Sequence, residues 1–131
     1  MIVLDTCGLL RLANNPAELG PGARRLLAAR RGAIGVSAIT AFEIALLVTK
    51  GRIVLPAALA DPAAWYAEAL RCHGLRELPV TGAIAAASVA LPPLHQDPAD
   101  RMIVATALLH AGTIVTSDQT IPRYPGVTTV W

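Results

Sequence analysis

The chain has few of the features that announce common functions. It has 131 residues but only two cysteines, Cys7 and Cys72. They lie in different segments and have no metal-type spacing, so neither a disulfide framework nor a zinc centre is expected. There is no HExxH, no GxxxxGK[ST] phosphate loop and no GxSxG elbow. Aromatic residues make up 4% of the chain, so the core must be built from Ala, Leu, Ile and Val. Long apolar runs are missing too. The stretch Gly82 to Leu94 contains Ser88 and is broken by Pro92 and Pro93, whereas a membrane span needs roughly 20 continuous apolar residues. The opening MIVLDTCGLL has no basic leader and carries Asp5 inside its apolar run, so no signal peptide is expected. Reduced thiols and a cytoplasmic location away from the membrane are the corresponding expectation.

What is present is apolar and alternating. Hydrophobic residues make up 54% and charged residues 15%, enough for one substantial core and a single domain over residues 1–131. Ile2–Leu4 reads as a buried parallel strand ending in Asp5. A helix over Gly8–Ala13 is stopped by Asn14, Asn15 and Pro16, and a second spans Ala23–Arg31 up to Gly32. Arg24, Arg25, Arg30 and Arg31 lie mostly on its outer side. Ile34–Val36 is the next strand, followed by a helix over Ala41–Lys50 closed by Gly51. Asp61-Pro62 opens a helix ended by Gly74, and Glu77–Val80 is a strand. Thr81 caps an Ala-rich helix reaching Leu91, and Asp97-Pro98 starts a helix over Ala99–His110, with Gly112 at its end. Thr113–Thr116 and Thr128–Trp131 complete the strands. This alternation predicts an α/β fold with a mainly parallel sheet.

In such sheets ligands bind beyond the carboxyl ends of the strands. Asp5 and Asp118 each follow a strand directly. Right-handed crossovers bring helix N-termini to that same edge, which adds Glu43 and Asp100. Carboxylates gathered there repel one another, and a hard divalent cation resolves the repulsion. With these four set aside, five acidic residues face eleven basic ones, a balance of about +6 that suits a polyanionic substrate. An ordinary solvated surface gives the same count. Each acid also has a plain structural reading. Asp5 and Asp118 suit turns, the latter through an Asx-turn to Thr120. Glu43 has capping-box spacing from Thr40, although Ser37 could cap instead. Asp97 reads as the helix N-cap, with Asp100 as its capping-box partner or a favourable charge on the helix dipole.

Four segments taken together resemble one family. Asp5-Thr6 after the first strand, VSAITAFEIALLVTKGRI around Glu43, HQDPADRMIVATA around Asp100 and IVTSD ending at Asp118 look like PIN domains, most closely VapC-type toxins of bacterial toxin–antitoxin pairs. The resemblance spans nearly the whole chain. It implies a PIN-like three-layer α/β/α sandwich and a magnesium-dependent endoribonuclease, with manganese as a substitute. The implied site is Asp5, Glu43, Asp100 and Asp118. Asp5, Asp100 and Asp118 would hold the metal, and Glu43 would hold a water of the cation or a second cation. The DRMIVATA register selects Asp100 over Asp97. Hydrolysis by activated water, giving 5′-phosphate and 3′-hydroxyl ends on RNA, is also implied, as are a homodimer and inhibition by a cognate antitoxin. Two positions depart from the family pattern: Cys7 replaces a small polar residue, and Ala99 replaces the aromatic of the DPFDR form.

Two rival functions follow from the same residues: a catalytically silent PIN-like module that binds RNA or protein, and a magnesium phosphohydrolase for a small substrate. An intact quartet of repelling acids argues against the first, and no small-phosphate motif supports the second. Thr6, Thr116 and Ser117 suit either turns or phosphate contacts, and Arg101 suits either phosphate or solvent. His95 suits either an RNA contact or, more plainly, an incidental loop position, His73 and His110 read as favourable helix-end charges, and Trp65 and Tyr66 as packing or dimer residues.

Overall fold

Ile2, Val3 and Leu4 form β1 (Ile2–Leu4), and all three are buried. A short strand with no exposed residue must lie in the middle of a sheet covered on both faces. In the computed structural model, which describes residues 1–29 and 32–131, β1 is the central strand. It pairs in parallel with β2 (Ile34–Ser37) on one side and β4 (Thr113–Val115) on the other. β3 (Arg76–Leu78) and β5 (Thr128–Val130) form the edges, again parallel, in the order β3-β2-β1-β4-β5. The sheet is thus wholly parallel.

Alternation along the strands divides the core in two. Ile2 and Leu4 face Leu9 of α1 (Thr6–Asn14), Ala23 and Leu27 of α2 (Pro21–Ala29), Ile44 of α3 (Ile39–Thr49), and Trp65 and Tyr66 of α4 (Pro62–His73). Val3 and Ile114 face Ile103, Val104 and Ala107 of α6 (Pro98–Leu109) together with Ile121 and Tyr124. The remaining helix, α5 (Gly82–Ala90), packs against α6. These helices on both faces make the three-layer α/β/α arrangement expected from the resemblance. Each fully buried aliphatic side chain contributes roughly 1.5–3 kcal/mol by leaving water, so the two clusters hold the sheet without aromatic-rich packing. Trp65 and Tyr66 serve that packing. No helix among the described residues is long and apolar enough to cross a membrane.

Several boundaries differ from expectation. Helix α1 begins at Thr6 rather than Gly8, because the Asp5 carboxylate caps it by accepting from the Gly8 N–H at 2.6 Å. Helix α3 begins at Ile39 rather than Ala41. Its N-cap position is Ala38, which has no side-chain cap, so neither Thr40 nor Ser37 plays that part. Strand β3 starts one residue earlier and ends at Leu78. At the end of α6 the left-handed position belongs to Ala111, φ 47°, not to Gly112. The Gly112 N–H donates back to the Ala107 carbonyl at 2.8 Å, the closure of a Schellman-type end. Asp61, Thr81 and Asp97 cap α4, α5 and α6 as their sequence spacing predicts. The expected helical positions Arg30 and Arg31 lie outside the described residues.

Candidate active site

The strand order places a topological switch at β1 and β4. β1 leads into α1 on one face of the sheet, while the chain reaching β4 comes from α6 on the other. The crevice beyond their carboxyl ends is where ligands bind in open parallel sheets. A pocket of about 310 Å³ lies there, lined by Asp5, Thr6, Glu43, Asp100, Ser117 and Asp118, with Cys7, Leu10 and Leu47. Four acids distant in sequence thus meet at one opening.

Each acid is held differently. Asp5 is 5% exposed, and one of its oxygens is occupied by the α1 cap. Burial raises its pKa, against the Thr116 hydroxyl and the Gly8 N–H, which favour the charged form. Glu43 accepts a 2.5 Å hydrogen bond from the Thr6 hydroxyl. Its pKa is also raised by burial, and the Asp97 and Asp5 charges push the same way. With Ala38 uncapped, Glu43 is tied to α1 rather than to its own helix end. Asp100 projects from the first turn of α6, and its carboxyl is pushed up to about 7, first by burial and then by the Glu43 charge. Asp97 does cap α6, accepting from the Ala99 N–H at 2.9 Å.

Asp118 divides its oxygens between two tasks. Oδ1 accepts from the Thr120 and Ile121 N–H groups at 2.6 and 3.2 Å, the Asx-turn foreseen in the sequence. Oδ2 lies 2.9 Å from His95 Nε2. Burial works to raise the Asp118 pKa, but these hydrogen bonds prevail and lower it. The turn is therefore compatible with a carboxylate oxygen directed at the pocket.

His95 is the residue that sequence reasoning passed over. Its Nε2 also lies 3.2 Å from Asp100 Oδ2, so one ring joins two of the four acids. Burial works against its charged form, but the Asp118 hydrogen bond and the Asp100 and Asp118 charges raise its pKa overall. The one available signal was its position two residues before the helix cap Asp97. Arg101 is placed differently from either sequence reading. Its guanidinium donates to the carbonyls of Ser88, Val89, Leu91, Pro92 and His95. It thereby satisfies the end of α5 and ties down the loop bearing His95, instead of facing phosphate or solvent. Cys7 is exposed at the pocket, and Ala99, next to Asp100 in the chain, is buried.

The donor set is suited to a hard divalent cation. His95, Asp100 and Asp118 offer ligand atoms within 4.8 Å of one another, and so do Glu43, Asp97 and Asp100. Asp100 belongs to both groups, whereas Asp5 belongs to neither and lines the pocket beside them. Oxygen donors dominate, there is no thiolate in either group, and Asp100 is raised as an uncompensated carboxylate would be.

The PIN domain family model matches residues 2–127. Ribonuclease VapC22 of Mycobacterium tuberculosis is 40% identical over 101 residues, covering 75% of this chain and 74% of that protein. Among solved structures, VapBC2 from Rickettsia felis bound to a DNA fragment from their promoter aligns over 99% of this chain and 98% of that one. The TM-score is 0.70 and the identity 16%. FitAcB from Neisseria gonorrhoeae aligns over 100% and 97%, with TM-score 0.65 and 23% identity. At these identities the structural likeness speaks to the fold.

Proposed function

The chain belongs to the PIN domain family, in kinship with the VapC ribonucleases, and from that premise we propose that it is a magnesium-dependent endoribonuclease, the toxin of a toxin–antitoxin pair. The observation that carries this reading is the meeting of Asp5, Glu43, Asp100 and Asp118 at one pocket beyond the carboxyl ends of the sheet. Asp100 and Asp118 would be principal ligands, with Asp5 supporting them from the pocket lining. When bound, the divalent cation would polarise the phosphodiester, ease deprotonation of water and stabilise charge developing on the phosphorus oxygens.

The chain's own groups supply the rest. Glu43, raised by burial and held through one oxygen by Thr6, takes the proton of the attacking water through its other oxygen. Attack at phosphorus breaks the bond to the 3′-oxygen, which takes a proton from solvent, leaving a 5′-phosphate and a 3′-hydroxyl. Asp5, its Oδ1 held by the α1 cap, adds a further carboxylate to the lining of the pocket. The basic excess of the remaining chain attracts RNA. Kinship with a named VapC ribonuclease and fold likeness to VapBC complexes support a cognate antitoxin as partner, and the resemblance to the family implies a homodimer. Manganese should substitute for magnesium, because both accept this oxygen-rich set.

A defined RNA panel incubated with magnesium, with manganese and with EDTA tests the reading. Cleavage should need the cation and fall at least about 100-fold in Asp100→Asn or Asp5→Asn. Full activity in either variant would sink the site assignment, and activity in EDTA would sink the metal requirement.

A further inference from the structure

His95 is braced on every side. Its backbone N–H donates to the hydroxyl of Tyr124 at 2.9 Å, and Tyr124 is buried in the core under α6. Its carbonyl accepts from Arg101 at 3.4 Å. On the ring, Nδ1 accepts from the Asp97 N–H at 3.2 Å. That leaves the proton of the neutral ring on Nε2, and in the charged ring Nε2 carries a proton as well. The protonated Nε2 lies 2.9 Å from Asp118 Oδ2 and 3.2 Å from Asp100 Oδ2. Asp100 comes from α6 and Asp118 from the segment after β4. His95 thus stands between the two carboxylates, hydrogen-bonded to one and at ion-pair distance from the other.

We propose that His95 is a positioning residue of the cation site: its Nε2–H donates to Asp118 while the same nitrogen stands 3.2 Å from Asp100 Oδ2, so the ring holds the two carboxylates in register and leaves their remaining lone pairs to the cation. A nitrogen carrying a proton has no lone pair in the ring plane to give a metal. Direct ligation would require the proton to move to Nδ1 and the Asp97 hydrogen bond to break. His95 therefore acts through the ligands, and hydrogen bonds of this kind to ligating carboxylates commonly govern metal affinity about 10- to 100-fold. Arg101 and Tyr124 fix the His95 backbone, and the Asp97 N–H fixes its ring. The proposal rests on the cation-site reading above.

Manganese binding measured by the loss of the free-ion EPR signal separates the two. Wild type should bind manganese, and His95→Ala should bind it about 10-fold or more weaker. His95→Gln, whose amide nitrogen reaches about as far as Nε2, should stay within about 3-fold of wild type. His95→Asn, whose amide reaches only as far as Nδ1, should resemble His95→Ala. Pulsed EPR of the wild-type complex should show no directly bonded nitrogen. Circular dichroism in EDTA checks that each variant is folded, and should His95→Ala unfold, the Gln and Asn pair decides. Equal affinity in wild type and His95→Ala, or in Gln and Asn, overturns the proposal while the cation site stands. A directly coordinated imidazole nitrogen overturns it too. A wild type that binds no manganese overturns both readings.

Discussion

Replacing Asp100 with Asn should stabilise the metal-free protein above neutral pH while abolishing cleavage. The Asp100 carboxyl is raised from 3.8 to about 7, mainly by burial and then by the Glu43 charge. Between those values the folded chain binds a proton that the unfolded chain has released. Stability therefore falls as pH rises through that window and stays at the lower level above it. A rise of about three pKa units sets a ceiling of about 4 kcal/mol. Solvent reaches the side chain, which is 21% exposed, and screening reduces the cost to about 1–2 kcal/mol. For a chain of 131 residues, that corresponds to about 4–7 °C in Tm. Asn keeps the shape and can still face His95, but carries no charge. Urea unfolding in EDTA should show Asp100→Asn more stable than wild type by that amount near pH 8 and about equal to it near pH 4. Added magnesium should then stabilise wild type by mass action and leave the variant unchanged. If Asp100→Asn is no more stable than wild type near pH 8 in EDTA, the repulsion argument fails.

Thr6→Val removes the donor that holds Glu43. Cleavage should fall about 10-fold or more with an unchanged circular dichroism spectrum, as RNA turnover assays would report. Arg101→Lys cannot reach five carbonyls with a planar fork, so urea unfolding should show a loss of about 2 kcal/mol together with weaker cleavage. Ala111→Gly relieves a left-handed alanine at φ 47° and should raise stability by about 1 kcal/mol, visible as a higher Tm. Ile103→Ala empties a fully buried position in the cluster under α6 and should cost about 3 kcal/mol in the same assay.

Local chemistry made much of the fold legible. Asp61-Pro62, Thr81 and Asp97-Pro98 announce helix starts, because a capping side chain acts on N–H groups two or three residues away. The aliphatic runs Ile2–Leu4 and Ile114-Val115 announce strands, because burial on both faces favours aliphatic side chains. Where two local solutions compete, the sequence left them open. Thr40 and Glu43 have capping-box spacing, but Glu43 finds its partner in Thr6 of another helix. At the end of α6 the sequence points to Gly112, whereas the left-handed position falls on Ala111 and Gly112 donates back to Ala107.

By itself, then, the sequence determined an alternating α/β chain, its helix caps, and four acids spaced so that parallel crossovers would carry them toward one edge. Only the tertiary structure decided how each acid is held: Asp5 by its helix cap, Glu43 by Thr6, Asp118 by its turn, and Asp100 beside His95. It also decided the tasks of His95 and Arg101, which depend on partners from distant segments. A hydrogen bond between Asp118 and His95 spans 23 residues. No local rule of capping or periodicity reaches that far, and only packing on the sheet brings the two groups into contact.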